Sequence, residues 1–227
     1  MMVVASGKGG LGKTTTALGL LEHYCREGTT LLIDFDMHNR GLSSLLRPQI
    51  DSKRCTSLLG EMERFRPLFD GSGIKNSSKG KSEHDAFDKY CLLRNDFTHE
   101  KNSRGISYHR ALRTHLFGGD PVPVKGENLA VNPNNARFLP SSGPKELFLA
   151  SKVFDAGFVE VFYFLKSLAF WAAQPDNKID TIILHCHGAH DLFMVGAIHA
   201  ATDLVVLTTP DPGGFDGTLD LLTFASN

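Results

Sequence analysis

The sequence predicts an α/β protein whose mostly parallel, twisted sheet is flanked by helices. Two short apolar segments, Met2–Ala5 and Thr29–Phe35, have the continuous hydrophobic character of strands that are buried on both faces. Between them, Lys13–Arg26 places apolar residues at the spacing of an amphipathic helix, which is stopped by Gly28. A strand, a helix and a second buried strand in this order form a βαβ unit whose two strands run parallel.

Alternating strands and helices return in the second half of the chain. Apolar segments predict further strands at Asn128–Val131, Ala136–Leu139, Thr181–Leu184 and Leu204–Thr208. Longer apolar segments predict helices at Phe154–Ala173, Leu192–Ala201 and Gly217–Phe224. The sequence has no internal repeat, so we interpret residues 1–227 as one α/β domain.

Residues 48–126 break this alternation, and we interpret them as an insertion and not as a second domain. Ser57–Phe69 has the pattern of a helix, whereas Gly71–Lys81 has the composition of a flexible loop. From Lys75 to Arg113 there are nine Lys and Arg residues against five Asp and Glu. This mild positive excess is the one sequence feature that favours DNA as a partner.

The composition is that of a globular protein with a full hydrophobic core. Hydrophobic residues make up 41% of the chain, and the net charge of −1 gives no general attraction to nucleic acid or anionic membranes. The four cysteines form no CxxC motif, so we expect reduced, buried thiols. Gly157–Ala173, the most apolar segment, is too short for an integral membrane segment of about 20 residues. Because a glycine-rich motif begins at residue 7, we expect no signal peptide and a cytoplasmic location.

That motif, Gly7–Thr14, matches the phosphate-binding pattern GxxxxGK[ST] between a strand and a helix, which is the context it requires. Its glycines let consecutive backbone N–H groups turn toward an anion, and the helix presents its positive N-terminus there. In such a P-loop, Lys13 reaches the terminal phosphates and the Thr14 hydroxyl binds Mg²⁺. We therefore predict ATP and Mg²⁺ as cofactors. The predicted nucleotide-binding residues are Gly7, Lys8, Gly9, Gly10, Leu11, Gly12, Lys13, Thr14 and Thr15.

Two carboxylates, Asp34 and Asp36, follow the second predicted strand. Open α/β sheets hold their ligands at the carboxyl ends of their strands. A carboxylate there binds the water shell of magnesium or orients an attacking water. The predicted metal-binding residues are therefore Thr14 and Asp36.

The loop carries a second lysine, in the order Lys8-Gly9-Gly10-Leu11-Gly12-Lys13-Thr14. This order resembles the deviant Walker A motif, KGGxGK[ST], of the ParA/MinD family of P-loop ATPases. The DxD sequence at Asp34 and Asp36, followed by Arg40 and Leu42, extends the resemblance. It implies the ParA/MinD type of P-loop NTPase fold for this chain.

The resemblance also implies roles and partners. In that family the extra lysine reaches the partner's nucleotide in an ATP-sandwiched dimer, which makes Lys8 a catalytic residue beside Lys13. The second Asp of DxD contacts the catalytic water, and that residue is Asp36. The implied function is an ATP-hydrolysing homodimeric switch in plasmid or chromosome partitioning or in intracellular positioning. The implied partners are nonspecific DNA and a protein that stimulates hydrolysis.

Two features depart from the family pattern. Alignment on His187 and Gly188 places His185 where the family has its Walker B aspartate. Histidine does not supply the same negative charge to hydrated magnesium, so we expect hydrolysis to be affected more than nucleotide binding. The chain also stops at Asn227, before elements that contact adenine in the family. We expect either a different base recognition or an incomplete chain.

The histidines leave two alternatives. The first is a nucleotide-binding regulatory or scaffold protein with impaired hydrolysis, because of His185. The second is a metallohydrolase, because the sequence HCHGAHD from His185 to Asp191 resembles the HxHxDH motif of metallo-β-lactamase-fold enzymes. The motif's aspartate position is Ala189, however, and no convincing further ligand set follows downstream. The sequence therefore favours the ATPase.

Overall fold

The computed structural model of the protein describes residues 1–37, 39–46, 57–62, 122–123, 135–141, 157–173, 177–188 and 191–226. The strands are β1 (Met2–Ala5), β2 (Thr30–Asp34), β3 (Val122–Pro123), β4 (Ala136–Leu139), β5 (Thr181–His185) and β6 (Asp203–Val206). The helices are α1 (Lys13–Tyr24), α2 (Gly41–Leu46), α3 (Phe158–Ala172), α4 (Leu192–Ala200) and α5 (Pro212–Ser226). Residues 58–62 are also helical. The predicted strand Asn128–Val131 and most of the 48–126 insertion lie outside the described residues.

The described strands form one sheet in the order β3-β4-β2-β5-β1-β6. All neighbours pair parallel except the two-residue strand β3, which is antiparallel to β4. The register places His185 opposite Val4 on one side and opposite Asp34 on the other. The predicted fold class, a mostly parallel sheet with flanking helices, is confirmed. The carboxyl ends of β1, β2 and β5 therefore meet at one edge of the sheet.

Side chains alternate between two buried faces of the sheet. In β1, Val3 and Ala5 pack with α3 and α4, whereas Val4 packs on the other side with Ala17 and Leu21 of α1. Every residue of β2 is buried, which explains its continuous apolar sequence. Helices cover both faces of the sheet and hold its carboxyl edge in place.

The start of α5 differs from the prediction of a helix at Gly217–Phe224. The helix begins five residues earlier, at Pro212, because Asp211 accepts a hydrogen bond from the Gly214 N–H at 2.9 Å. An aspartate that caps the first turn, followed by proline at the first helical position, is a strong helix start. The Asp-Pro pair was the signal that the prediction missed.

Those other predicted elements that fall on described residues either match the structure or differ from it at their ends. Helix α1 ends at Tyr24 and not at Arg26, and β2 omits Thr29 and Phe35. Thr29 donates its N–H to the Asp180 carboxylate at 2.8 Å and so lies outside the ladder. Helix α2 was not predicted.

Helix α3 is strongly apolar but carries two charged residues, Glu160 and Lys166. Glu160 accepts a hydrogen bond from the Gly157 N–H at 3.1 Å and so caps its first turn. The Lys166 amine lies 5.6 Å from the centroid of the Phe162 ring. Within the described part of the chain, no helix combines the length and the apolar character that crossing a membrane requires.

Candidate functional site: the loop between β1 and α1

The glycine-rich loop leaves β1 at Ala5 and ends where α1 begins at Lys13. Gly10 and Gly12 have φ angles of 76° and 82°, in the left-handed region that favours glycine. Gly12 is the residue that precedes the helix, and it has no side chain with which to cap it. The first N–H groups of α1 therefore receive no hydrogen bond from a side chain of Gly12. Uncapped N–H groups at the start of a helix are suited to bind an anion.

Gly7 is required for a different reason, namely a close approach between the loop and α5. A Cβ atom on Gly7 would overlap the backbone carbonyl of Gly217. The backbone of α5 thus lies directly against the start of the loop. Gly9, in contrast, has open space where a Cβ would be.

Lys13 is a buried cation whose direct partners are neutral oxygens. Its side chain is anchored by the Ser6 hydroxyl at 2.8 Å and the Lys8 carbonyl at 3.3 Å from Nζ, and the residue is 7% exposed. Burial lowers the pKa of Lys13, and the nearby Asp36 charge opposes that shift. An anion placed at the loop would stabilise this amine. Ser6 was missed by the sequence prediction, although its place beside the motif was a signal.

Lys8, the second lysine of the motif, lies on the surface. Its Nζ is 3.5 Å from Oδ1 of Asp211, and both side chains are half exposed. The loop lysine and the first turn of α5 are therefore neighbours. Asp211 was not among the predicted site residues, because 203 positions separate it from Lys8.

Asp36 lies just beyond β2 and is 6% exposed. Its carboxylate accepts hydrogen bonds from the Asn39 backbone N–H at 2.9 Å and from the Asn39 amide at 3.0 and 3.2 Å. An ionised carboxylate has about four lone-pair positions. Among the residues that the structure describes, Asn39 accounts for three of these positions, so one on Oδ2 is left for a water or metal ligand.

His185 ends β5 between the loop and the carboxylates of β2. Its Nε2 is 3.1 Å from the Thr14 hydroxyl and its Nδ1 is 3.2 Å from Oδ1 of Asp34. His185 and Asp34 are 3% and 0% exposed. Strand β5 therefore brings an imidazole, and not a carboxylate, to the predicted magnesium ligand Thr14.

Residues 186–188 lie against the glycine-rich loop. A Cβ atom on Gly188 would be 2.6 Å from the Lys8 carbonyl oxygen. His187 Nε2 lies 2.8 Å from Oδ2 of Asp191. Burial raises the pKa of the Cys186 thiol.

The metallohydrolase alternative gains no support from these contacts. His185 and His187 are engaged by different carboxylates, those of Asp34 and Asp191. Among the residues that the structure describes, no group of three or more His, Cys, Asp or Glu residues is placed to hold a metal ion. Cys25 and Cys186 are buried free thiols, as expected, and the other two cysteines lie outside the described residues.

The structure brings the predicted loop residues, Asp34, Asp36 and His185 to one edge of the sheet. Leu11 is half-buried and Thr15 is exposed. Sequence reasoning missed two serines that surround Asp34. Ser43 donates its hydroxyl to Asp34 Oδ2 at 2.6 Å, and Ser141 donates its N–H to the Ser43 hydroxyl at 2.9 Å.

Solved structures with the same fold include McdA, a putative plasmid partition protein and the septum site-determining protein MinD. Apo McdA of Cyanothece aligns with a TM-score of 0.55 at 18% identity, over 99% of this chain and 64% of its own. A putative plasmid partition protein of Borrelia burgdorferi B31 bound to AMPPNP aligns with a TM-score of 0.54 at 20% identity, over 99% of this chain and 68% of its own. The septum site-determining protein MinD of Pyrococcus horikoshii OT3, complexed with Mg-ADP, aligns with a TM-score of 0.54 at 17% identity, over 99% of this chain and 64% of its own. The chain thus spans about two thirds of the length of these proteins, and identities this low establish the fold alone.

A comparison with curated proteins found no match. A family model described as the CobQ/CobB/MinD/ParA nucleotide binding domain matches residues 2–212. This match covers nearly the whole chain, including the glycine-rich loop and β1 to β6. The protein therefore belongs to the CobQ/CobB/MinD/ParA nucleotide-binding family.

Proposed function

We propose that the protein is an ATP-binding, magnesium-dependent switch of the ParA/MinD type, which dimerises with ATP and hydrolyses it. The observation that carries the proposal is Lys13, a cation that is 7% exposed with neutral oxygens as its direct partners. A buried charge of this kind is costly unless a counter-charge arrives. The terminal phosphates of ATP are that counter-charge.

The loop residues fit a triphosphate. Gly10 and Gly12 hold the left-handed conformations that turn backbone N–H groups inward, and α1 begins directly after them. These N–H groups and the Lys13 amine are donors only, which suits the acceptor oxygens of phosphate. Thr14 and Asp36 are the residues proposed to hold magnesium. A bound magnesium ion neutralises charge on the terminal phosphates.

Lys8 is the residue proposed to act across the dimer. Its side chain is half exposed and forms a 3.5 Å ion pair with Asp211. An exposed pair of this kind contributes little to stability, so Lys8 can leave it at little cost. The amine is therefore able to reach a phosphate of a second chain.

Replacing Lys8 with alanine is expected to abolish ATP-dependent dimerisation while the monomer still binds nucleotide. The affinity of the monomer for ATP should change by less than about fivefold, because Lys8 is exposed and Lys13 stays in place. Light scattering after size-exclusion chromatography, with a non-hydrolysable ATP analogue, measures the oligomeric state.

Lys166→Ala is the matched control, since it removes an exposed lysine from α3, away from the loop. This variant should dimerise as the unmodified protein does. If Lys8→Ala forms dimers at the nucleotide concentration at which the unmodified protein does, the proposed role of Lys8 is contradicted.

A second candidate function is a nucleotide-binding regulator or scaffold with little hydrolysis. It is favoured by His185, which stands beside Thr14 where the family pattern has an aspartate. Phosphate release measured beside nucleotide affinity distinguishes the candidates. Tight binding without turnover supports the regulator, and turnover supports the switch.

The proposed biological role is partitioning or positioning of a cargo. Its support is the likeness to McdA, to a plasmid partition protein and to MinD. Nonspecific DNA and a stimulating protein are the proposed partners. The positively charged residues 75–113, which suggested DNA, lie outside the described residues.

A further inference from the structure

Large apolar side chains are exposed at the starts of the two helices that flank the glycine-rich loop. Leu192, the first residue of α4, is 52% exposed. Phe215, in the first turn of α5, is 59% exposed. Apolar residues that are exposed singly are common on protein surfaces, whereas a continuous exposed apolar surface marks an interaction site. The positions of these residues relative to the loop and to one another therefore decide what they indicate.

The sheet order places the starts of both helices beside the loop. Strand β1 lies between β5 and β6, and α4 follows β5 as α5 follows β6. A Cβ atom on Gly188, which precedes α4, would be 2.6 Å from the Lys8 carbonyl oxygen. Asp211, which precedes α5, has its Oδ1 atom 3.5 Å from Lys8 Nζ. Lys8 therefore contacts the segments that lead into both helices and lies between them.

The exposed apolar surface continues along α5. Leu219 and Leu222 follow Phe215 at positions i+4 and i+7, which lie on one face of an α-helix. They are 57% and 43% exposed, whereas Leu221, on another face of the same helix, is fully buried in the core. Four residues thus form an exposed surface beside Lys8, which we call the apolar rim: Leu192, Phe215, Leu219 and Leu222.

The charges beside the apolar rim are of opposite sign. Lys8 and Asp211 are neighbours, and both side chains are half exposed. When two identical copies meet across a two-fold axis, residue i of one copy meets residue j of the other, and j meets i. A surface with a cation beside an anion is therefore able to match a second copy of itself. Asp216 and Asp220 are exposed about 100° around α5 from Phe215 and Leu219, at the edge of the rim.

We propose that the apolar rim is the docking surface for a second copy of this chain. Lys8 is the residue proposed to reach a phosphate of a second chain, and a copy close enough to receive it must also cover the side chains on either side of it. The inference rests on the proposed dimer and names the surface that forms it. Burial of the rim supplies the apolar contribution to association, which an exposed ion pair does not.

The first test is the dimer dissociation constant, measured by sedimentation velocity with a non-hydrolysable ATP analogue. Phe215→Ser and Leu192→Ser should each raise it about tenfold or more, because truncation of a large apolar residue at an interface removes much of the binding energy. Both residues are more than half exposed, so thermal melts should show folded variants. An unchanged dissociation constant in both variants would overturn the proposal.

Phe224→Ser is the matched control on the same helix. Phe224 lies about 2.5 turns after Phe215, on the opposite side of α5, and is 40% exposed. This variant should dimerise as the unmodified protein does. An equal rise of the dissociation constant in Phe224→Ser would show that weakening of α5, and not loss of the docking surface, causes the effect, and would also overturn the proposal.

The second test places a fluorophore on the rim with Phe215→Trp. The ATP analogue should shift its emission to shorter wavelength at protein concentrations at which dimers form, because the second copy removes the indole from water. Phe224→Trp should show no such shift, and Trp171, the native tryptophan, contributes equally to both variants. A shift that is the same in dilute protein would show that the chain covers its own rim. That result, or no shift in a dimer, would overturn the proposal.

These results separate failure of the inference from failure of the proposed function. If the unmodified protein binds the ATP analogue but stays monomeric, the proposed dimer and the inference fail together, while nucleotide binding stands. If it dimerises with the analogue and the rim variants dimerise equally well, only the inference fails. If it dimerises through the rim with or without nucleotide, the docking surface stands and the proposed dependence on ATP fails.

Discussion

Lys13→Ala is expected to weaken ATP binding by about 2–4 kcal/mol, or roughly 30- to 1000-fold in Kd. The amine is 7% exposed and lies at the first residue of α1, where the loop meets the helix. Burial lowers its pKa, so the protein already carries the desolvation cost of this charge before a ligand binds. Phosphate oxygens would offset this desolvation cost by pairing with the amine. Alanine has neither a positive charge nor a hydrogen-bond donor to interact with the phosphates.

Fluorescence titration with a labelled ATP analogue measures the effect, with Lys166→Ala as the control for loss of a lysine. The stability of nucleotide-free Lys13→Ala should be unchanged or raised, because the buried charge has neutral oxygens as its direct partners. A thermal melt therefore separates loss of binding from unfolding. Unweakened binding by a folded Lys13→Ala variant would contradict the assignment of the loop.

Gly7→Ala is expected to destabilise the protein by about 1–3 kcal/mol, which lowers Tm by about 3–10 °C in a domain of this size. The added Cβ would overlap the Gly217 carbonyl, which is backbone and does not rotate away. Either α5 or the loop must shift. Because Lys8 lies beside Asp211 at the start of α5, the shift should also disturb the loop and weaken ATP binding.

Gly9→Ala is the matched control, since the same methyl group enters open space two residues away. Its effect on stability should stay within about 0.5 kcal/mol. Differential scanning fluorimetry of both variants measures the difference between their melting temperatures. Equal melting temperatures for Gly7→Ala and Gly9→Ala would contradict the packing of α5 against the loop.

The sequence predicted those parts of the site that are local in the chain. β1, the loop, α1 and β2 follow one another within 34 residues, and each carries a pattern of its own. The partners of Asp34 could not be found in this way. Ser141 lies 98 residues from Ser43, and His185 lies 151 residues from Asp34. They meet because β2 pairs with both β4 and β5, and no local pattern encodes a strand order.

The missed helix α2 illustrates a different limit. It has six residues, with no acidic residue in its first turn and no basic residue in its last. Its place is set by tertiary contacts, since Leu42 and Leu46 are buried beside β2 and Ser43 binds Asp34. A helix this short is not stable on propensity alone, so its sequence carries little signal.

Backbone amide NMR during titration with ATP tests the central claim most directly, namely that Gly7–Thr14 binds the phosphates. Addition of ATP with magnesium should shift the amide signals of Gly9, Gly10, Gly12, Lys13 and Thr14, and AMP should shift them much less. The amide signals of residues at the opposite edge of the sheet, such as Thr30 and Thr181, should not shift. Saturating ATP that leaves the loop amides unshifted would contradict the account.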